Sequence, residues 1–65
     1  MTTADVIARV DEIRAFAGDA EKAHGMEDRL YLEVLAEIAE GEGRAADLAR
    51  AAIRASDIEF ERWCA

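Results

Sequence analysis

The chain has 65 residues, a formal net charge of −7 and no proline. That length bounds it to one domain, residues 1–65, which on folding buries only about 60% of the surface its unfolded form exposes. Cys64 is the only cysteine and His24 the only histidine, so an internal disulfide and a Cys/His zinc site within one chain are excluded; self-association remains as the way so small a core gains stability.

Alanine, glutamate, arginine and leucine dominate, and all favour helix. Residues suited to strands are few. The fold class expected is all-α, a small antiparallel bundle of three to four short helices. Residues 1–43 hold eleven acids against four bases, whereas 44–65 hold four of each. An acidic chain is repelled by nucleic acid and by anionic lipid, so direct nucleic-acid binding is disfavoured. The simplest use of the charge is solubility. No apolar run approaches the roughly 20 residues that span a membrane, and the first residues lack the pattern of a signal peptide. With one free cysteine, this predicts a cytoplasmic protein.

The first helix is predicted over Ala4–Ala17, with Thr2 or Thr3 as N-cap and Asp5 in the first turn, where the helix dipole favours an acid. Val6, Val10, Ile13 and Ala17 recur at helical spacing, and Ile7 and Phe16 widen the stripe. Gly18 reads as its stop. Asp19–His24 reads as a polar connector, with Asp19 able to cap one turn over Ala20–Ala23 and Gly25 giving a bend or the next N-cap.

The second helix is predicted over Met26–Glu40. Leu30, Tyr31, Val34, Leu35 and Ile38 form a broad apolar face, extended by Leu32, Ala36 and Ala39. A face this wide implies more than one neighbour, either two helices or a helix and a second chain. Glu33, Glu37 and Glu40 make one acidic stripe. Gly41 and Gly43 end the helix.

The third helix is predicted from Arg44 to at least Ala55, with Leu48, Ala52 and Ala55 on one face and Ala45, Ala49 and Ile53 beside it. Arg50 and Arg54 read as a solvated face. Ser56-Asp57-Ile58-Glu59 matches a capping box, S-x-x-E, that starts a fourth short helix; the alternative is one long helix to Cys64. Phe60 and Trp63, three apart, either complete the core or anchor a partner.

Chemistry has little to work with. His24, Glu27, Asp28 and Tyr31 are the one polar cluster resembling a site, and a His beside a carboxylate can bind metal or act as a general base. The structural alternative is that they satisfy a helix start. Cys64 lacks a nearby histidine and reads as a small buried hydrophobe. Glycine-rich phosphate loops, G-x-S-x-G, C-x-x-C and H-E-x-x-H are absent from the sequence. A DNA-reading helix would be basic, and the third helix matches that poorly. No cofactor or metal is expected.

Two stretches, GDAEKAHGMEDRLYLEVL (18–35) and SDIEFERWCA (56–65), together resemble a group of short uncharacterised proteins from actinobacteria and their bacteriophages. The resemblance is carried by Ala23, His24, Glu27, Asp28, Leu30 and Tyr31, then by Ile58, Phe60, Arg62, Trp63, Cys64 and Ala65. It implies a bacterial host cytoplasm and a phage accessory role, and it assigns no site residue.

The function expected is therefore a non-enzymatic protein-interaction module. Its partner would be a host protein or a second copy of the chain, met through Tyr31, Leu35, Ile38, Phe60 and Trp63 with Glu33, Glu37 and Glu40 alongside. Two rivals stand beside it: an acidic mimic of nucleic acid built on the glutamate stripe, and a small metal protein or enzyme around His24 and Asp28.

Overall fold

The computed structural model describes residues 1–41 and 43–61. The described chain is all-helical: α1 spans Thr3–Ala15, α2 Ala20–Ala39 and α3 Ala45–Ile53, followed by a 3-10 turn over Arg54–Asp57. Each helix packs on the other two.

The start of α1 is fixed by a reciprocal cap. Thr2 Oγ1 accepts from the Asp5 backbone N–H at 3.1 Å, and Asp5 Oδ2 accepts from the Thr2 N–H at 2.8 Å. Two otherwise orphaned donors are satisfied together. Val6, Val10 and Ile13 are the buried stripe of this helix. Its end comes earlier than the sequence suggests: Phe16 already leaves helical geometry, and Gly18 sits in the following turn without a positive φ.

The polar connector expected over Asp19–His24 is instead the first turn of α2. Asp19 caps it, its Oδ1 accepting from the Lys22 N–H at 3.2 Å, and the helix runs unbroken through Gly25. Gly25 is thus neither a bend nor a cap. The reason is packing. Ala23, Glu27, Leu30 and Val34 are all buried, and their spacing places them on one face. Continuing that face outweighs the roughly 1 kcal/mol an internal glycine costs. At the far end, Gly41 takes φ 90°, a left-handed conformation that a side chain resists, and its N–H donates to the Ile38 carbonyl at 3.0 Å.

The C-terminal expectations are corrected as well. Ser56-Asp57-Ile58-Glu59 does not open a helix. The Ser56 hydroxyl donates backward to the Ile53 carbonyl at 2.7 Å, Ile58 is extended and its N–H reaches the Ala55 carbonyl. Nor does α3 continue as one long helix. Ala55 and Ile58 are both buried, and holding these two in the core turns the chain out of the helical path. Trp63 and Cys64 lie outside the described residues.

The core is Val6, Val10, Ile13, Ala23, Leu30, Val34, Leu48, Ala51, Ala52, Ala55 and Ile58. Four of these eleven are alanine, side chains small enough to permit close helix approach. Phe60, partly buried, packs against this cluster.

Candidate interaction surface

The wide apolar face of α2 divides in three. Leu30 and Val34 enter the core, Tyr31 and Ile38 are partly covered, and Leu35 and Leu32 stay 62% and 68% exposed. Tyr31, Leu35 and Ile38 form the wall of a recess of about 310 Å³ between α2 and α3, floored by Val34, Ala49 and Ala52. Ile53 follows Ala49 by four residues, so it stands on the same side of α3 one turn further on; it is 61% exposed. Sequence periodicity singled out Tyr31, Leu35 and Ile38 for this face. It set Ile53 merely beside the core stripe, and nothing in the pattern marks Ile53 as exposed.

The acidic stripe is tied largely to α1. Arg9 donates to both carboxylate oxygens of Glu33, at 2.7 and 3.4 Å. The N-terminal ammonium lies 3.5 Å from Glu37. Glu40 caps the end of α2 and is exposed. The hydrogen bond from Arg9 holds the Glu33 carboxyl below the ordinary carboxylate range, and the same bond raises Arg9. The three glutamates therefore do not act as one free anionic row.

The His24 cluster splits into two pairs. His24 Nε2 is 3.8 Å from Asp28 Oδ1. The Tyr31 hydroxyl donates to Glu27 Oε2 at 3.0 Å, and Glu27 is buried. No group of three or more His, Cys, Asp or Glu among the described residues could hold a metal ion.

No pattern in the sequence marks a further feature of the surface. An open cleft of about 590 Å³ runs between α1 and α2, lined with charges of both signs from Arg9, Glu12, Lys22, Arg29 and Glu33. Lys22 Nζ also stands 4.1 Å over the Phe16 ring, a cation–π contact. Only a helix continuous through Gly25 brings Lys22 and Arg29 to the same cleft, so reading a break at Gly25 hid it.

Compared with protein-family models, with curated proteins and with solved structures, the chain finds no match in any of the three. No helix among the described residues is long and apolar enough to cross a membrane.

Proposed function

We propose that this chain is a non-enzymatic protein-interaction module whose docking face is the apolar surface shared by α2 and α3. The observation that carries the reading is Leu35, more than half exposed, in the wall of a recess lined by Tyr31, Val34, Ile38, Ala49 and Ala52. Contiguous exposed apolar surface marks interaction sites more often than solitary exposed residues do. An antiparallel course of α1 and α2 belongs to this reading. It is supported by the N-terminal ammonium meeting Glu37 near the end of α2, and it leaves the α2–α3 side free of those ion pairs.

The acidic-mimic reading draws less support, because Arg9 and the N-terminus already engage two of its three glutamates. The metal reading rests on a single His–Asp pair. The likeness to short actinobacterial and phage proteins makes a cytoplasmic host protein the target class to test first.

The test is capture from an actinobacterial lysate by the tagged full chain, with Leu35→Asp and Trp63→Ala as paired baits. A partner lost with Leu35→Asp, while circular dichroism shows that variant folded, is the expected result. Unaltered capture by the folded Leu35→Asp variant overturns the docking face.

A further inference from the structure

We infer that the open cleft between α1 and α2, on a different side of the molecule from the docking face, is a binding site for a small phosphate compound held by Lys22 and Arg29 across Gly25. Lys22, Gly25 and Arg29 lie at i, i+3 and i+7 of α2, which puts them on one face of the helix, and all three line the cleft. Arg9 and Glu12 supply the opposite wall from α1.

The charges of the cleft are not all spent on one another. Arg9 and Glu33 satisfy each other. Lys22 and Arg29 are exposed, and neither forms an ion pair among the described residues, although the chain holds 15 acids against 8 bases. Two cations therefore stand against one remaining carboxylate, Glu12, and the cleft has a positive sign in a chain of net −7. Screening limits each exposed charge to about 8 Å at physiological ionic strength, so a small anion feels these cations, whereas a long polyanion meets the acids beyond them. A guanidinium fork and a lysine ammonium both suit phosphate oxygens. Lys22 is steadied for this use by the Phe16 ring, 4.1 Å from its Nζ.

Gly25 points the same way. Glycine is the poorest helix former after proline, yet it stands inside α2. Its φ is not positive, and a Cβ built there meets nothing within 4 Å. Neither backbone conformation nor packing asks for glycine at this position. What the missing side chain leaves is open space in the cleft between Lys22 and Arg29. A local preference broken with no structural return is expected at a functional position.

The experiment is a titration of the isotope-labelled full chain with inorganic pyrophosphate at neutral pH and constant ionic strength, read by amide shifts in NMR. Arg29→Gln, Gly25→Leu and Arg54→Gln are measured beside the parent. Arg54 is exposed and lines a separate recess between α1 and α3, so its variant controls for the loss of one positive charge. Gly25→Leu fills the cleft with a better helix former, and circular dichroism checks that each variant keeps the parent's fold. The expected result is saturable shifts centred on residues 22–29, with binding at least about tenfold weaker in Arg29→Gln and Gly25→Leu and unchanged in Arg54→Gln. No saturable shift in the parent overturns the site. Equal weakening by Arg29→Gln and Arg54→Gln overturns it too, because the attraction is then general, and so does parent-like binding by folded Gly25→Leu. Citrate, an anion of comparable charge, should bind more weakly than pyrophosphate; equal affinity overturns phosphate as the ligand class.

Discussion

The Tyr31 hydroxyl donates to Glu27 Oε2 at 3.0 Å, one turn apart along α2. Glu27 is 4% exposed and is the one charged residue among the buried positions described. A carboxylate in such a place needs donors, because burying an unsatisfied polar group costs more than a hydrogen bond returns. Tyr31→Phe should lower the unfolding free energy by about 1 kcal/mol, with helical content unchanged. Urea denaturation followed by circular dichroism measures it. A variant as stable as the parent would show that this hydroxyl is dispensable to Glu27.

Leu30 and Leu35 sit five residues apart on one helix and should respond in opposite ways. Leu30 is fully buried, and Leu30→Ala removes about 2–5 kcal/mol. That is comparable to the entire net stability of roughly 3–5 kcal/mol expected of so small a core, so the variant should be largely unfolded at room temperature. Leu35→Ala should stay within about 0.5 kcal/mol of the parent when measured on the dilute chain. Thermal melts at micromolar concentration distinguish them.

The two glycines flanking the body of α2 provide another contrast. Gly25 lies inside the helix, and a Cβ built there meets nothing within 4 Å. Gly25→Ala should therefore stabilise by about 0.5–1 kcal/mol, through helix propensity and a less entropic unfolded chain. Gly41 has the same open space but φ 90°, so Gly41→Ala should destabilise by about 1 kcal/mol. Equal shifts in melting temperature from both substitutions would contradict the helix end described here.

Acid should weaken the fold through two carboxylates. The Asp5 carboxyl is held below its ordinary range by the Thr2 backbone N–H and then by the Thr2 side chain, and Glu33 is held down by Arg9. A depressed folded value means the stabilisation is fully present above the ordinary carboxyl range, about pH 4, and is lost as pH falls through the lower folded value. The difference in melting temperature between parent and Glu33→Gln should thus be largest near neutrality and shrink below about pH 4. Comparing the two proteins cancels the general relief of charge repulsion that acid brings to a chain of net −7. A difference that grows on acidification would reverse the sign of this linkage.

Much of the local structure was legible in the residues themselves. A threonine cap at the start of α1, open in the sequence between Thr2 and Thr3, and Gly41 past the end of α2 are short-range signals: a side chain satisfies a backbone donor three residues away, or a glycine takes a conformation others resist. Such effects depend on a few neighbouring residues, so the sequence states them directly. Asp19 carried the same kind of signal, but Gly25 obscured how far its helix runs. Ala23 and Glu27, one too small and one too polar to read as core, hid the stripe that carries α2 through the glycine.

What only the tertiary structure decided is which part of each apolar stripe meets a neighbour. Leu30 and Leu35 have identical side chains and both fit a helical face, yet one is buried and the other is open to solvent. Helical periodicity defines a face more than 100° wide, whereas the angle at which α1 and α3 approach selects the slice that is covered. The same geometry turned Glu33 and Glu37 toward α1, buried Glu27, and sent Ser56 backward to Ile53 instead of forward into a new helix. Sequence by itself determined that this chain is helical, where α1 begins and where α2 ends; the packing of the three helices decided how far α2 and α3 run and which hydrophobic residues are left exposed.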